Sequence, residues 1–295
     1  MIYQHPLAYL LGIEGTALLR AWAGDHDREF VEARLAEIRR LLADETLTNH
    51  DGVVVRRGDT QTGYRQWAAT YDGPNGLFDI DEPVVHGILD DLPKGHALDA
   101  ACGTGRFSEY LAGHGHRVVG VDSSPDMLGH ARTRVPDAEF LAGDLHRLPL
   151  PDDAVDTVVC GLALSHVAAL GPVLAEFARV LRPGGHLVIS DVHHELVLRG
   201  SVVKAVGPDG EPGLVATYRH TPGDFLRAAL PAGLLVRRCE EPRSPASDEP
   251  PAPAPEITVE PWDTWPWSLL GLLPAASRSV WEIPMTIIWH FQLAG

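Results

Sequence analysis

The amino-acid sequence predicts an α/β fold: a doubly wound, mostly parallel sheet of seven strands whose last strand is antiparallel. From residue 96 onward, short apolar runs alternate with helical stretches and are joined by short connections, which is the pattern of a parallel sheet wound by helices. A glycine-rich turn with Gly103 and Gly105 follows the first apolar run. Acidic residues close three successive runs, at Asp99, Asp122 and Asp144.

Helices are predicted ahead of the sheet. In Asp27–Asp44, apolar residues recur every three to four positions with charged residues between them, which places one apolar stripe on a helix. Leu7–Trp22 predicts a more apolar helix, with Gly12 and Gly15 as candidate breaks. Two further helices are predicted within residues 60–92, one around Tyr64, Trp67 and Tyr71 and one over Pro83–Leu92.

The core elements then follow in order. The predicted strands are Ala97–Ala101, Val118–Val121, Glu139–Ala142, Val155–Cys160 and His186–Ser190, and the helices between them are Phe107–Gly113, Pro125–Val135 and Leu170–Leu181. A hairpin is predicted from Val202–Val206 and Leu214–His220, because glycine-rich turn residues 207–210 separate them. Helix Pro222–Leu230 and strands Leu234–Cys239 and Met285–Leu293 complete the sheet.

Three parts of the chain are therefore expected. They are an N-terminal helical cap over residues 1–59, a core over 60–241 and 285–295 with the hairpin insert at 201–220, and a Pro/Trp-rich excursion over 242–284. Residues 242–266 contain eight prolines, so the first half of the excursion is predicted to be extended. Trp262, Trp265 and Trp267 predict that its second half is buried, and docking onto the N-terminal helices or onto a second subunit is favoured over lining the acceptor pocket, which leaves a homo-oligomer open.

Composition narrows the classes of partner. The 295 residues are 45% apolar and 22% charged, which is ordinary globular usage. Lys and Arg number 24 against 40 Asp and Glu, a net charge of −16, and this speaks against nucleic acid because phosphate binding relies on clustered cations. Neither a long apolar run nor a leader pattern is visible, so no membrane partner is expected.

Cysteine usage bears on metals and on the compartment. Cys102, Cys160 and Cys239 are odd in number and widely spaced, so neither a disulfide scaffold nor a metal site is expected. Together with the missing leader pattern, this usage predicts a reduced, cytoplasmic protein.

The segment from His96 to Arg106 carries the sharpest functional signal. A strand leads straight into a turn that opens a helix, where glycines allow a ligand to approach closely and the helix offers free N–H groups. Asp122 ends the next strand, where a carboxylate can accept hydrogen bonds from a ribose diol, and Asp144 follows the third strand. Each acid alone could equally be a helix cap, but acids at successive strand ends favour a nucleoside-type ligand.

Two positions distinguish between nucleoside ligands. Ser108 stands where a pyrophosphate-binding loop has its third glycine, and Asp99 comes just before the loop. A carboxylate repels a phosphate and attracts a cation. The residues thus favour S-adenosylmethionine, with its positive sulfonium and amino groups, over a dinucleotide.

With these segments, the chain resembles the class I S-adenosylmethionine-dependent methyltransferases, specifically their small-molecule "type 11" branch, which have a Rossmann-like fold. The matching segments are Leu98–Gly105, Val119–Leu128, Gly143–Pro149, Asp156–Cys160 and Arg179–Val188. The resemblance covers roughly residues 64–240 and the last strand.

The resemblance implies a role for each matching position. Asp99 and the backbone of Ala101, Gly103 and Gly105 would hold the methionine part of the cofactor. Asp122 would take the ribose hydroxyls, Ser123 and Met127 would lie beside the adenine, and Asp144 and the Leu145 N–H would bind it. The Gly161 backbone would face the sulfonium, and Tyr64 and Tyr71 would belong to a helix folded over the cofactor. Ala101 stands where many relatives have glycine, and an ordinary φ is expected there.

Methyl transfer from a sulfonium requires proximity and alignment, and a hydroxyl acceptor also benefits from a base with a pKa near 7, as histidine has. His193 and His194 follow the fifth strand at the edge where sites form, and His166 and His220 are further candidates. Because the chain has 15 histidines, a packing role stays open for each of them. His193 and His194 lack a second cluster at metal-ligand spacing, so no metal is expected.

The predicted function is O-methylation of a hydroxyl on a small-molecule acceptor in secondary metabolism, with S-adenosyl-L-methionine as cofactor and S-adenosyl-L-homocysteine as product. Transfer to nitrogen or carbon stays open. Two alternatives of other classes also remain: a cyclase or eliminase that uses the bound cofactor without methyl transfer, and a non-catalytic S-adenosylmethionine-binding module.

Overall fold

The computed structural model describes residues 1–58, 63, 73, 76–207, 209–243 and 256–295. The helix predicted around Tyr64, Trp67 and Tyr71 lies outside the described residues. The chain forms two compact units: Met1–Gly58, Lys204–Leu214 and Ser244–Ile283 make the first, and Asp59–Val203, Val215–Arg243 and Pro284–Gly295 make the second. The predicted three-part division stays a prediction, while the structure groups the N-terminal helices and the described end of the excursion in one unit.

The elements are numbered in chain order. The strands are β1 (Ile2–Gln4), β2 (Val53–Gly58), β3 (His96–Ala100), β4 (Arg117–Asp122), β5 (Glu139–Ala142), β6 (Val155–Gly161), β7 (Leu181–Val192), β8 (Lys204–Val206), β9 (Pro212–Val215), β10 (Leu234–Glu240) and β11 (Thr286–Leu293). The α-helices are α1 (Pro6–Ala23), α2 (Arg28–Ala43), α3 (Glu45–Thr48), α4 (Gly76–Asp90), α5 (Arg106–Gly113), α6 (Pro125–Arg134), α7 (Leu170–Val180), α8 (His194–Leu198), α9 (Pro222–Ala229), α10 (Trp267–Leu270) and α11 (Pro274–Trp281).

The second unit contains the predicted sheet. Its seven strands lie in the order β10-β11-β7-β6-β3-β4-β5. Strand β3 pairs in parallel with β4 and β6, the outer pairs β4–β5 and β6–β7 are also parallel, and β11 runs antiparallel to both β7 and β10. This confirms the predicted fold class. The winding reverses at β3, so the carboxyl ends of β3, β4 and β6 meet where ligands bind in such sheets.

Helices cover both faces of this sheet because neighbouring residues of a buried strand point to opposite sides. Val158 packs in a cluster with Phe177 of α7 and Phe225 of α9. Its neighbour Val159 packs on the other face with Val85 of α4 and Leu111 of α5. Burial on both faces explains why the strands are apolar runs without alternation.

The first unit combines a four-stranded sheet, in the order β1-β2-β9-β8, with helices α1, α2, α3, α10 and α11. Leu10 and Leu41 of the N-terminal helices share one apolar cluster with Trp265, Leu273 and Val280. The far end of the Pro/Trp-rich segment therefore docks onto the N-terminal helices, the first of the two predicted alternatives. Trp265 is 5% exposed, whereas Trp267 stays 53% exposed and takes little part in this docking.

Several predicted boundaries were wrong. Helix α1 is unbroken at Gly12 and Gly15, and α4 begins at Gly76 with Pro83 inside it rather than near its start. The inserted hairpin is present but shorter than predicted, and its strands β8 and β9 belong to the sheet of the first unit.

Strand β7 also begins earlier than predicted, directly after α7 at Leu181. Two hydrogen bonds hold the first residues of β7 in the sheet. Arg182 donates to the Asp156 carboxylate at 2.7 Å and to the Ala154 carbonyl at 2.7 Å. Strands β1 and β2 were not predicted at all.

Among the described helices, none combines the length and the apolar character needed to cross a membrane. Among all the residues that the structure describes, no group of three or more His, Cys, Asp or Glu side chains is placed to hold a metal ion.

Candidate functional site

A cavity of about 280 Å³ lies at the carboxyl edge of the parallel strands in the second unit. Eight of the predicted cofactor-binding residues line it: Ala101, Gly103, Asp122, Ser123, Met127, Asp144, Leu145 and Gly161. His166 is the one predicted catalytic histidine that lines it. Tyr64 and Tyr71 lie outside the described residues, and Asp99, Gly105, His193 and His194 are not on the cavity wall.

The turn between β3 and α5 has an unusual backbone. Residues Ala101, Gly103 and Gly105 have φ angles of +56°, +54° and +87°. The expectation of an ordinary φ at Ala101 was therefore wrong: this alanine adopts a left-handed conformation that glycine adopts without strain. At Gly105 a Cβ atom would come within 3.2 Å of Ala131 Cα, so glycine is also needed there for the approach of α6.

Asp122 connects this turn to the end of β4. Its Oδ2 accepts a hydrogen bond from the Gly103 N–H at 2.9 Å, and its Oδ1 accepts one from the Ser124 N–H at 2.8 Å. Burial raises the pKa of Asp122, and these backbone hydrogen bonds oppose the rise. A third backbone hydrogen bond comes from Ser123, which leaves one of the about four acceptor positions of the carboxylate, so Asp122 can also bind a hydroxyl group in the cavity.

Asp99 lies deeper than the cavity wall. Its carboxyl is 1% exposed, and its Oδ2 accepts a hydrogen bond from the Ser108 hydroxyl at 2.7 Å. Burial raises the pKa of Asp99 to about 6, although the bond from Ser108 opposes the rise. The structure thus gives the Ser108 hydroxyl a partner in Asp99, and Asp99 is not among the residues that line the cavity.

Asp144 and its neighbours form the wall that follows β5. Asp144 Oδ1 accepts from the His146 N–H at 2.7 Å and also lies 2.7 Å from His146 Nδ1. These bonds lower the pKa of Asp144, so it is ionised at neutral pH. His146 lines the cavity and was missed by sequence reasoning. Its place two residues after Asp144 was the available signal.

The end of β6 has no room for a side chain at Gly161. A Cβ atom there would lie 2.3 Å from Phe107 Cε2, so any residue larger than glycine would require Phe107 to move. The next residue, Leu162, lines the cavity with a φ of +54°, and its N–H donates to the Ser190 carbonyl at 2.7 Å.

His166 is held at the cavity by its ring. Its Nδ1 lies 2.9 Å from the Ala216 carbonyl oxygen, which can only accept, so Nδ1 carries the hydrogen and Nε2 the acceptor lone pair. Burial lowers the pKa of His166, which keeps the imidazole neutral near pH 7. These are the tautomer and the charge state of a general base.

The other candidate histidines do not line the cavity, and two of them are held by hydrogen bonds. His193 is 2% exposed and caps α8, where its Nδ1 accepts from the Glu195 N–H at 3.3 Å and its Nε2 lies 3.0 Å from Glu241 Oε1. Both ring nitrogens are thus engaged. His220 Nε2 donates to the Val167 carbonyl at 2.8 Å, whereas His194 Nδ1 has no hydrogen-bond partner among the described residues, and His194 differs from His166 in lying off the cavity wall.

One buried acid near this edge was not predicted. Asp191 of β7 is 1% exposed and accepts hydrogen bonds from the hydroxyl and the backbone N–H of Ser165. Burial raises the pKa of Asp191 to about 7. Because Ser165 precedes His166 in the chain, Asp191 fixes the turn that carries the histidine.

Comparison with known families agrees with this geometry. Residues 98–189 match the family model described as a methyltransferase domain. The match spans β3 to β7, which contain the glycine turn, Asp122, Asp144 and Gly161. The predicted resemblance to S-adenosylmethionine-dependent methyltransferases is confirmed for this segment.

Individual relatives are similar to part of this chain. The demethylmenaquinone methyltransferase of Renibacterium salmoninarum is 41% identical over 170 residues, 56% of this chain and 64% of that protein. The malonyl-acyl-carrier-protein O-methyltransferase of Serratia marcescens is 36% identical over 137 residues, 46% of this chain and 53% of that protein. The chain thus spans only part of the length of these relatives.

Among solved structures, the fold is similar to that of the DhpI–SAH complex. The TM-score is 0.53 at 22% identity, covering 79% of this chain and 95% of that one. At this identity the likeness shows the fold.

Proposed function

We propose that the protein is an S-adenosyl-L-methionine-dependent methyltransferase that methylates a hydroxyl group of a small-molecule acceptor. The observation that carries the proposal is the cavity at the reversal of the sheet, where the glycine turn, Asp122 and Asp144 share one wall. The matched relatives are named for methyl transfer to demethylmenaquinone and to malonyl-acyl-carrier protein, which supports the reaction class and leaves the acceptor open.

The donor and acceptor groups of the cavity fit this cofactor. Asp122 keeps an acceptor position for a ribose hydroxyl, and Met127 and Leu145 provide apolar surface for an adenine ring. The carboxylates of Asp122 and Asp144 make the cavity favourable for a cation, as the sulfonium requires. When bound, S-adenosylmethionine supplies an electrophilic methyl group.

We assign the role of general base to His166. Its neutral imidazole with an acceptor at Nε2 can take the proton of an acceptor hydroxyl, which makes the oxygen a better nucleophile. Ala216 holds the ring through Nδ1, and Asp191 and Ser165 hold the turn below it. His193 and His194, the other predicted bases, are not on the cavity wall.

The reaction class can be tested by mass spectrometry. The purified protein is incubated with S-adenosylmethionine and, in separate reactions, with hydroquinones, phenols, amines and carboxylic acids. We expect S-adenosylhomocysteine only when a hydroxyl acceptor is present, together with a product heavier by one CH₂ group. Turnover with the cofactor unconsumed would instead indicate a cyclase or eliminase. Binding of S-adenosylhomocysteine without turnover of any compound would favour a binding module.

The role of His166 is tested with the acceptor found in this way. His166→Ala should lower kcat by about 10²-fold or more, the contribution of a general base. Its affinity for S-adenosylhomocysteine should stay at the wild-type value. His130→Ala is the matched control, since His130 is exposed on α6. Equal kcat values for the two variants would contradict the assignment.

A further inference from the structure

A buried arginine directly follows the glycine turn. Arg106 is the first residue of α5, and its side chain is 16% exposed. Its guanidinium carbon lies 4.2 Å from the centre of the Phe78 ring and 4.0 Å from that of Phe107. Stacking between two rings restricts the plane of the guanidinium and removes it from water.

The charge of Arg106 is neutralised by α4. Arg106 Nη1 donates to Asp81 Oδ1 at 2.9 Å and Nη2 donates to Asp81 Oδ2 at 3.1 Å, a two-point contact. Nη1 also donates to Glu82 Oε1 at 3.0 Å. The Asp81 side chain is fully buried, so the loss of Arg106 would leave its charge without compensation, whereas the loss of Asp81 would leave Arg106 with Glu82 alone.

Asp81 extends the network to the sheet. Its Oδ2 also accepts a hydrogen bond from the Ser190 hydroxyl at 2.7 Å. Ser190 is paired in register with Gly161, and its carbonyl accepts the hydrogen bond from Leu162. One chain of contacts thus runs from the residue after the glycine turn, through α4, to the end of β6.

Both ends of this chain are parts of the cavity wall. The glycine turn contributes Ala101 and Gly103, and the end of β6 contributes Gly161 and Leu162. Ala101 and Leu162 have positive φ angles, conformations that persist only where the surroundings enforce them. Phe107, which covers one face of Arg106, also occupies the space beside Gly161.

We propose that Asp81, Arg106 and Ser190 are positioning residues that hold the glycine turn and the Gly161–Leu162 end of β6 in the geometry that binds the S-adenosyl ligand. This inference rests on the proposed function. The three side chains act through the backbone of the cavity wall, since none of them lines the cavity itself. Their effect should therefore appear in ligand affinity.

The experiment measures the dissociation constant of S-adenosylhomocysteine by calorimetry and the melting temperature of each variant. Asp81→Asn should weaken binding about tenfold, because the guanidinium keeps only Glu82 as a charged partner and the turn shifts. Ser190→Ala should weaken it about threefold, the worth of one hydrogen bond. Arg106→Lys keeps the charge but cannot contact both Asp81 oxygens, so its affinity should fall between that of Asp81→Asn and wild type.

Glu14→Gln is the control, because Glu14 is a buried carboxylate paired with Arg34 in the other unit. It should leave the affinity unchanged whatever happens to the melting temperature. Affinities of Asp81→Asn and Ser190→Ala equal to wild type would overturn the inference, even if their melting temperatures fall. If Asp81→Asn does not fold, Ser190→Ala decides alone. A wild-type protein that does not bind S-adenosylhomocysteine would contradict the proposed function itself.

Discussion

Among the described residues, each of the two units contains an arginine that joins two helices through a fully buried carboxylate, and the two pairs differ in how many of their polar atoms are hydrogen-bonded. In the second unit, both oxygens of Asp81 are hydrogen-bonded and Ser190 adds a third bond. In the first unit, Arg34 donates to Glu14 at 2.8 Å, while Glu14 Oε2 and Arg34 Nε have no hydrogen-bond partner among the described residues. Buried polar groups left in this state weaken a fold, whereas a satisfied network defines one geometry.

The polar network is complete in the part of the chain that must keep one geometry. The complete network lies beside the cavity, where side-chain and backbone positions must be accurate for binding. The first unit relies on its apolar cluster around Leu10, Leu41 and Trp265. Variants of the first unit should therefore change stability, and variants at the cavity should change ligand affinity.

The largest expected effect is in the apolar cluster. Trp265→Ala should lower the free energy of unfolding by about 3–5 kcal/mol, because it removes a buried ring and leaves a cavity. It also removes the hydrogen bond from Trp265 Nε1 to the Glu260 carbonyl at 2.9 Å. Trp267→Ala is the matched control and should change little, since Trp267 is 53% exposed. Thermal unfolding of both variants measures the difference, and equal melting temperatures would refute the docking role of Trp265.

The next effect is at the cavity. Gly161→Ala places a Cβ atom 2.3 Å from Phe107 Cε2, so it should cost about 1–3 kcal/mol through overpacking. It should also weaken S-adenosylhomocysteine binding, because Phe107 and Arg106 must move. Gly129→Ala in α6 is the control, since nothing lies within 4 Å of its added Cβ. That variant should be as stable as wild type or more so. Similar calorimetric affinities for the two variants would contradict the role of Gly161 in the cavity wall.

Whether a feature of the fold or of the site could be predicted from the sequence depends on how far apart in the chain the interacting residues are. The parallel strands and the residues at their ends, such as Gly103, Asp122 and Gly161, follow from local patterns because buried strands are apolar and their carboxyl ends share one edge. The pairs Asp81–Arg106 and Asp191–Ser165 join elements distant in the chain, and a single sequence contains no signal for them.

The same distinction explains the errors. His193 was predicted at the site because it follows a strand, but its partner Glu241 lies 48 residues away and fixes its ring elsewhere. The start of β7 was missed because Pro183, Gly184 and Gly185 are typical of turns. Strands β1 and β2 are short and belong to a sheet completed by β8 and β9, which come much later in the chain.

A smaller effect concerns pH and the buried Asp191. Its folded pKa of about 7 exceeds the ordinary value of 3.8, so the fold favours the protonated carboxyl. The stability from this group is fully present below the unfolded pKa and is lost as the pH rises through about 7. Asp191→Asn stays neutral at every pH. Relative to this variant, the free energy of unfolding of the wild type should fall by at most about 1.4 kcal/mol per pH unit between pH 3.8 and about 7. Urea unfolding of both proteins at pH 5 and at pH 8 measures this fall. If the free energy of unfolding changes equally in both proteins between the two pH values, the raised pKa of Asp191 is contradicted.

The smallest effect is at Ala101. Ala101→Gly should raise the free energy of unfolding by about 0.5–1 kcal/mol, because glycine relieves the cost of the left-handed φ. Gly103→Ala, with a φ of +54°, is the opposite change and should destabilise. Differential scanning calorimetry can resolve both shifts. A lower melting temperature for Ala101→Gly would show that the alanine methyl group is needed at this turn.

We propose that the second unit binds an S-adenosyl ligand with its ribose on Asp122. Titration calorimetry of S-adenosylhomocysteine against wild type, Asp122→Ala and the exposed control Asp137→Ala tests it most directly. We expect wild type and Asp137→Ala to bind equally, and Asp122→Ala to bind about 1–3 kcal/mol more weakly, the worth of hydrogen bonds to a charged group. An Asp122→Ala variant that binds as tightly as wild type would contradict the account.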